Sequence, residues 1–366
     1  MEFIDLKTQY QLHKAEIDSR IQKVLDHGHY VMGPEIQECE RQLAAYVGVK
    51  HCVTVASGTT ALEIALRALD IGPGDEVITV PFTWISTAEV IGLVGATPVF
   101  VDIEPDYFNI NIAQIEAAIT PRSKAVIPVS LFGQMPDYDQ INRLAAKHGL
   151  TVIEDAAQSF GATQRGKRSG AVTRLACASF FPAKPLGCYG DGGAIFTDDD
   201  GLVEKIRAIR THGGVQRHHH PFLGTNGRFD TLQAAVLLAK LPYFPREVEQ
   251  RGHIGARYSE LLKGCCQTPA VAPGNTHVYA QYTLRLPHRD LVAGRLKEKG
   301  IPTAIYYPKC LHEQPVFAHC GGPGGFPEAI KASREVLSLP MHPFLTPGQQ
   351  EHIANAVQES LQIASS

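Results

Sequence analysis

A single lysine, Lys184, stands between two apolar runs in a segment rich in glycine and proline. The run before it, residues 175–181, predicts a buried strand, and residues 192–197 predict another. An amine that is held there and removed from water has a lowered pKa and becomes a nucleophile able to form a Schiff base with a carbonyl compound. An ordinary exposed loop lysine is the alternative, and for an isolated lysine it is the commoner case.

A phosphate site is suggested earlier, by the segment Ser57-Gly58-Thr59-Thr60. A strand, a glycine turn and the start of a helix follow one another there within a few residues. Backbone N–H groups and hydroxyls at such a helix start make a site suited to an anion. The alternative is an ordinary helix N-cap, for which the same residue types are also favoured.

Asp155 ends a predicted buried strand, residues 151–155, where an unpaired carboxylate would be costly. It therefore needs a cation or a strong donor. A pyridinium nitrogen would serve, because the carboxylate would keep that nitrogen protonated and the ring could then act as an electron sink. Gln158 is expected on the same side of the following turn, within reach of a ring oxygen. A capping aspartate at a strand-to-helix junction is the alternative.

Trp84 is the only tryptophan and also follows a predicted strand. An aromatic ring at this place can lie against a flat ligand and exclude water, although a core tryptophan is the alternative. Ser179, just before Lys184, is placed to add a hydroxyl to a phosphate site. In order along the sequence, the chain supplies a phosphate site, a stacking ring, a carboxylate, an amide and a lysine. These are the parts needed to hold pyridoxal 5′-phosphate.

Short apolar runs alternate with helical segments over the part of the chain that carries these residues. Strands that are buried on both faces and separated by helices are typical of a parallel sheet in an α/β domain, whose ligands collect at the carboxyl ends of the strands. Two amphipathic helices, at residues 11–27 and 34–47, are predicted to come first. The predicted strands are residues 52–57, 76–81, 98–103, 125–130 and 151–155.

The pattern changes after Leu241. A polar helix at about residues 246–263 is expected to lead into a smaller α+β segment, with strands at 279–286 and 304–307 and an irregular glycine-rich loop at 321–325. A chain of 366 residues favours two domains. We predict a large α/β domain over residues 1–245 and a small α+β domain over residues 246–366.

The composition limits the classes of partner. A net charge of -3 gives no reason to expect a nucleic acid or an anionic membrane surface, and no apolar run approaches a membrane span. The eight cysteines lack C-x-x-C spacing, which favours reduced thiols in a cytoplasmic protein. The cluster His218-His219-His220 lacks the i, i+4 spacing of a helical metal site, so no metal is expected.

Motifs spread over nearly the whole chain resemble those of the DegT/DnrJ/EryC1/StrS family of sugar-nucleotide aminotransferases. The resemblance implies the type I aspartate-aminotransferase fold, pyridoxal 5′-phosphate as cofactor and a homodimer with its active site at the interface. The motifs are Gly33-Pro34, Ser57-Gly58-Thr59, residues 95–102, residues 154–158, Ser179 with Lys184, Gly192-Gly193, residues 226–228, residues 232–235, Tyr306-Tyr307-Pro308 and Ser338-Leu339-Pro340.

The resemblance also implies roles for individual residues. Lys184 would carry the cofactor and shuttle protons, Asp155 would pair with the pyridine nitrogen, Trp84 would cover one face of the ring and Gln158 would contact its phenolic oxygen. The other implied contacts are Gly58, Thr59, Thr60 and Ser179 at the phosphate, Asn226 at the phosphate held by the partner subunit, and Arg228, Tyr306 and Tyr307 at the sugar nucleotide.

Lys184 favours transamination, because members of the family's dehydratase branch have a histidine there. The implied reaction is ping-pong: L-glutamate donates its amino group to the cofactor, and a keto sugar then receives it. Residues 180–190, with Ser130 where many relatives have histidine, resemble the branch that aminates C3 of UDP-2-acetamido-2-deoxy-3-keto-glucuronic acid for bacterial surface polysaccharides. Arg228 or a basic residue of the loop 217–220 would then meet the uronate carboxylate.

Two alternatives and one departure from the family pattern stay open. A 4-keto sugar aminotransferase would use the same cofactor residues, and a non-catalytic cofactor- or nucleotide-binding protein would not require Lys184. The pair Lys309-Cys310 departs from what usually follows Tyr-Pro in the family, which bears on the sugar contacts. A Rossmann dehydrogenase is disfavoured because no G-x-G-x-x-G follows the first strand.

Overall fold

The computed structural model describes residues 1–321 and 325–364. The α-helices of these residues are α1 (Leu6–His27), α2 (Pro34–Val47), α3 (Gly58–Ala68), α4 (Ser86–Leu93), α5 (Ile112–Ile115), α6 (Tyr138–Lys147), α7 (Asp200–Arg210), α8 (Thr231–Lys240), α9 (Phe244–Leu261), α10 (Arg289–Glu298), α11 (Pro327–Glu335) and α12 (Pro347–Ala364). The strands are β1 (His51–Val55), β2 (Glu76–Thr79), β3 (Thr97–Phe100), β4 (Ser123–Val126), β5 (Thr151–Asp155), β6 (Thr163–Gln164), β7 (Lys167–Arg168), β8 (Leu175–Ser179), β9 (Gly193–Thr197), β10 (Tyr282–Arg285) and β11 (Val336–Leu339).

A seven-stranded sheet, in the order β1-β9-β8-β5-β4-β2-β3, forms the centre of the larger part of the chain. The pairs from β8 to β3 are all parallel, and β9 lies antiparallel between β1 and β8. Apolar side chains pack on both faces, with Ile78 and Val126 in one core and Val77 and Ile153 in another. Burial on both faces explains why these strands are continuous apolar runs. The predicted α/β class with a mostly parallel sheet is confirmed.

The carboxyl ends of β1, β2, β5 and β8 lie at the same edge of this sheet, because β9 is antiparallel to both of its neighbours. Ser57 follows β1, Trp84 follows β2, Asp155 ends β5 and Lys184 follows β8. The sheet therefore brings to one edge the side chains that the sequence analysis selected from separate segments.

Two predicted elements differ from the structure in informative ways. Helix α1 begins at Leu6, earlier than predicted, because Oδ1 of Asp5 accepts the N–H of Thr8 at 2.9 Å and caps the helix. The predicted strand at 304–307 is wrong. Strands β10 and β11 pair with each other over four residues, and Ala304 makes only an isolated bridge to Ser338.

The predicted strand at 279–286 is shorter than expected, since the backbone of Tyr279 has a φ of 45° and cannot continue an extended strand. Of the predicted glycine-rich loop at 321–325, residues 322–324 lie outside the described residues.

The C-terminal part has its own core, in which α9, α10 and α12 pack around the β10–β11 pair. Asp102, two residues beyond β3, links it to the large sheet. Its Oδ2 accepts the N–H of Glu328 and its Oδ1 that of Ala329, both at 2.9 Å, so a residue just beyond the large sheet caps α11. The division near residue 245 falls close to the start of α9 and stays a prediction.

Candidate active site

Lys184 is partly buried at the carboxyl edge of the sheet. Its backbone N–H donates to the carbonyl of Phe181 at 2.9 Å, which turns the chain back on itself after β8. Burial lowers the pKa of the Lys184 amine below its ordinary value, and the carboxylate of Asp155 acts in the opposite direction. An amine with a lowered pKa is unprotonated more of the time and is a better nucleophile. An ordinary exposed loop lysine is not what the structure contains.

Asp155 is only 5% exposed and is held on both oxygens. Oδ2 accepts the hydroxyl of Thr87 at 2.8 Å, and Oδ1 accepts the N–H of Ala157 at 3.1 Å. Burial raises the pKa of this carboxyl group, while Thr87, Ala157 and the charge of Lys184 act to lower it. Because both donors are neutral, the carboxylate is suited to receive a further, cationic N–H.

The amide of Gln158 has a fixed orientation. Its Oε1 accepts the N–H of Phe132 at 2.8 Å, and its Nε2 donates to the hydroxyl of Tyr307 at 3.2 Å. Phe132 has a φ of 57°, in the left-handed region, and this turn aims its N–H at Gln158. The donor side of the amide therefore faces the same region as Tyr307.

Tyr307 lies deeper in the site than the sequence analysis expected. Its ring centre is 6.1 Å from that of Phe82 and 6.2 Å from that of Trp84. Burial raises the pKa of its hydroxyl, so the group stays protonated and can donate. Tyr307 thus belongs to the surroundings of Gln158 as well as to the predicted sugar side.

Trp84 is 58% exposed, so the alternative of a core tryptophan is wrong. An exposed indole at the edge of the sheet has a free face for a flat ligand or a second chain.

Ser57 and the first residues of α3 form the candidate phosphate site. Ser57 Oγ accepts the N–H of Thr60 at 3.0 Å, so Ser57 is an N-cap, as the alternative interpretation proposed. The N–H groups of Gly58 and Thr59 meet no acceptor among the residues that the structure describes. Because these amides remain available at a helix N-terminus, the segment is both a cap and a potential anion site.

Ser179 lies directly against this helix start. A Cβ added to Gly58 would come within 2.8 Å of the Cβ of Ser179, so glycine is needed for this close approach. Thr59 Oγ1 also lies 2.7 Å from Ser86 Oγ, a residue at the start of α4. The predicted phosphate residues Thr59, Thr60 and Ser179 thus come together from two separate segments, and Ser86, which was not predicted, adds a hydroxyl from a third.

The residues predicted to contact the sugar lie in two places. Arg228 lines a cleft with Ser57, Asp191 and Gln233. Tyr306 instead packs against Phe3, at a ring-centre distance of 6.4 Å. The described residues provide no contact between Arg228 and Tyr306 within one chain. Asn226 is exposed and forms an isolated backbone bridge with Thr211.

Two contributions to this site were missing from the sequence analysis: the hydroxyl of Thr87 on Asp155 and the backbone N–H of Phe132 on Gln158. The first has a recognisable signal, because Ser86-Thr87 places hydroxyls in the first turn of a helix that follows a buried strand. The second has none, since a backbone N–H belongs to every non-proline residue.

The donor set fits pyridoxal 5′-phosphate. A buried carboxylate whose hydrogen-bond donors are neutral suits a pyridinium nitrogen, helix N–H groups that meet no acceptor among the described residues suit a phosphate, and a desolvated amine suits a carbonyl carbon. No cluster of three or more His, Cys, Asp or Glu side chains with metal-binding geometry occurs among residues 1–321 and 325–364. Within the same ranges, no helix is both long and apolar enough to cross a bilayer.

Comparisons with known proteins give one consistent result. The model of the DegT/DnrJ/EryC1/StrS aminotransferase family matches residues 11–358. The chain is 53% identical to UDP-2-acetamido-2-deoxy-3-oxo-D-glucuronate aminotransferase of Pseudomonas aeruginosa, over 94% of this chain and 96% of that protein. It is 45% identical to UDP-N-acetyl-3-dehydro-alpha-D-glucosamine 3-aminotransferase of Acidithiobacillus ferrooxidans, over 98% and 97%. A crystal structure of a DegT DnrJ EryC1 StrS aminotransferase from Brucella abortus superimposes with a TM-score of 0.97 at 43% identity, over 98% of this chain and 99% of that one.

Proposed function

Because the chain belongs to the DegT/DnrJ/EryC1/StrS aminotransferase family, a family of pyridoxal-phosphate-dependent transaminases, we propose that it moves the amino group of L-glutamate to C3 of UDP-2-acetamido-2-deoxy-3-keto-glucuronic acid. One observation carries the proposal. The buried carboxylate of Asp155 ends β5 at the sheet edge where Lys184 follows β8, and burial there lowers the pKa of the Lys184 amine. The adjoining start of α3 has two N–H groups, of Gly58 and Thr59, that meet no acceptor among the described residues.

Each residue of the site has a separate role in the proposed reaction. When bound, the cofactor supplies an electron sink through its protonated ring. Asp155 holds the proton on the ring nitrogen, and Gln158 with Tyr307 donates to the phenolic oxygen. The amine of Lys184 carries the cofactor between turnovers and moves the proton at the substrate's reacting carbon. Gly58, Thr59, Thr60 and Ser179 bind the phosphate.

The acceptor is proposed as a uronate for two reasons. The Pseudomonas aeruginosa protein, 53% identical to this chain, is by its name a UDP-2-acetamido-2-deoxy-3-oxo-D-glucuronate aminotransferase. The cleft beside Ser57 also contains a cation, Arg228, which would pair with the uronate carboxylate. Product of this kind would serve bacterial surface polysaccharides such as lipopolysaccharide O-antigen. A 4-keto sugar nucleotide is the second candidate, because the cofactor residues alone do not select the carbon.

A homodimer is part of the proposal. In one chain Arg228 and Tyr306 lie in separate places, and large apolar side chains of the site segments are exposed, including Trp84 and Phe181. A second copy that covers these side chains would bring Asn226 to the phosphate of its partner and unite the two parts of the sugar site. A cytoplasmic location is proposed as well, since all eight cysteines are free thiols.

The test is the absorbance spectrum of the purified protein before and after addition of L-glutamate. We expect a visible band that L-glutamate removes, and that returns when the 3-keto uronate nucleotide is added. The corresponding 4-keto nucleotide sugar, used in parallel, should restore the band much more slowly. A protein that stays colourless with added pyridoxal phosphate contradicts the proposal, and a Lys184→Ala variant that retains every property of the wild type supports a non-catalytic binding protein instead.

A further inference from the structure

Helix α8 contacts the loop that follows Lys184 in two ways. The Nζ of Lys240 donates to the carbonyl of Gly187 at 2.7 Å and lies 4.3 Å from the ring centre of Tyr189. Nearer the N-terminus of the same helix, Oε1 of Gln233 accepts the N–H of Tyr189 at 2.7 Å. One helix therefore holds the loop at two backbone groups, on residues 187 and 189.

The loop itself is tightly folded, so a displacement at Gly187 is passed on to Lys184. The N–H and the thiol of Cys188 both donate to the carbonyl of Phe180, at 2.8 and 3.0 Å. A Cβ on Gly187 would meet the carbonyl oxygen of Pro182 at 2.5 Å. Because of these contacts, the backbone between the end of β8 and Gly187 cannot move without displacing its neighbours.

Lys240 is an unusual residue for this place, because its side chain is buried without a carboxylate partner. It is 2% exposed, and the carbonyl of Gly187 is its only hydrogen-bond acceptor among the described residues. Burial lowers the pKa of its amine to about 8, against the charge of Glu247. Burying an amine is costly, and an apolar side chain of the same length would fill the space without that cost.

We propose that Lys240 is a positioning residue for Lys184. By holding the carbonyl of Gly187, it fixes the position of the loop, and therefore the position from which the Lys184 amine reaches the cofactor and the substrate carbon. The inference rests on the proposed role of Lys184. A merely structural lysine would affect the stability of α8 and nothing else. A positioning residue also affects the chemistry of an amine that it does not touch.

The test compares the holoenzyme with Lys240→Met, which keeps the length of the side chain and removes its hydrogen bond. We expect reloading of the apoenzyme with pyridoxal phosphate, followed by the visible band, to be about tenfold slower. The pH at which the band is half converted should also shift. In the half-reaction with L-glutamate, the limiting rate constant should fall about tenfold while the apparent dissociation constant of L-glutamate changes little.

Arg251→Met is the matched control. Arg251 is 4% exposed and donates to a single backbone carbonyl, that of Tyr279, at 3.1 Å, but it does not contact the loop. It should lower the melting temperature to a similar degree and leave the reloading rate and the band's pH midpoint as in the wild type. If Lys240→Met does not fold, Gln233→Leu removes the second contact, near the N-terminal end of α8 where the side chain is only partly buried, and it should also slow reloading.

A folded Lys240→Met enzyme with the reloading rate and pH midpoint of the wild type would overturn the inference. Equal changes in Arg251→Met and Lys240→Met would overturn it as well, because they would reflect lost stability alone. Transamination by Lys184→Ala at the rate of the wild type would overturn the proposed function itself, so the two failures can be told apart.

Discussion

Thr87 donates its hydroxyl hydrogen to Oδ2 of Asp155 across 2.8 Å. The two residues are 68 positions apart in the chain, and they meet because β4 alone separates β2, which precedes Thr87, from β5, which Asp155 ends. With the N–H of Ala157 on the other oxygen, the carboxylate cannot rotate freely. Its orientation is therefore set before any ligand binds, as the proposed contact with a pyridinium nitrogen requires.

Thr87→Val should weaken the binding of pyridoxal phosphate. The change preserves the shape of the side chain and removes one hydrogen bond to a buried charged group, worth about 1.5–3 kcal/mol. We expect the dissociation constant of pyridoxal phosphate, measured by titration of the visible band, to rise about tenfold or more. Thr79→Val is the control, since Thr79 is equally buried and donates to the carbonyl of Ile127 at 2.8 Å, away from Asp155. If the two variants bind pyridoxal phosphate with equal affinity, the hydroxyl of Thr87 makes no specific contribution to cofactor binding.

Asp155→Ala should retain part of its cofactor and lose most of its rate. The phosphate contacts remain, while the group that keeps the ring nitrogen protonated is lost, so turnover should fall on the order of a hundredfold or more. Glu154→Gln provides the comparison. Glu154 is also a buried carboxyl group, but it accepts from Ser169 at 2.7 Å and from the N–H of Gly170 at 2.8 Å. Unimpaired turnover in Asp155→Ala would refute the electron-sink role.

Arg228→Met should discriminate between acceptors. If the guanidinium pairs with the uronate carboxylate, its loss should raise KM for the 3-keto uronate nucleotide about tenfold to a hundredfold. The neutral 3-keto N-acetylglucosamine nucleotide should be affected much less, and the half-reaction with L-glutamate should not change. Arg217→Met, in the exposed loop, tests the other candidate cation. A larger effect of Arg217→Met would assign the carboxylate to that loop.

The stability of the protein should fall in acid, in part because of His342. Burial lowers the pKa of this imidazole to about 4 from its ordinary value of 6.5, with Asp5 acting to raise it and Arg251 to lower it further. Between these two values the unfolded chain binds more protons than the folded one, so the free energy of unfolding decreases as the pH falls. The contribution of one such group is about 3 kcal/mol between pH 7 and pH 4.

His342→Phe removes this titration and keeps a ring of similar shape beside Phe344, whose ring centre lies 6.1 Å away. Urea unfolding at pH 7 and pH 4 should show a smaller loss of stability in the variant than in the wild type. Because Glu154, which does not interact with His342, titrates identically in both proteins, the difference between the two reports His342 together with its charged neighbours Asp5 and Arg251. An equal loss in both proteins would mean that this imidazole is not the acid-sensitive group.

The sheet and the order of the site residues could be predicted because each depends on a local signal. The apolar run that ends in Asp155, and the one that leads to Lys184, can each be recognised from a few consecutive residues. The contact between Gln158 and Tyr307 cannot be recognised in this way, since 149 positions separate the two residues and only the folded chain brings them together.

The predicted strand at residues 304–307 failed for a related reason. Its residue types favour an extended strand, but within this segment Ala304 alone pairs with β11, through an isolated bridge to Ser338 on the edge that β10 leaves open. Whether an extended segment runs alongside a partner strand is decided by the packing of the folded molecule. The exposure of Trp84 was equally beyond a local pattern, because an indole after a buried strand is compatible with a core position and with a surface one.

The cap that Asp102 provides for α11 has a consequence for how such enzymes recombine. A hybrid that takes its C-terminal part from another parent, joined near residue 245, inherits the helix from one parent and its cap from the other. If the first parent lacks an acceptor at the position of Asp102, two N–H groups of the helix lose their partner where they cannot easily be replaced. The safest exchange therefore transfers this aspartate together with the helix, although more than two hundred residues of sequence lie between them.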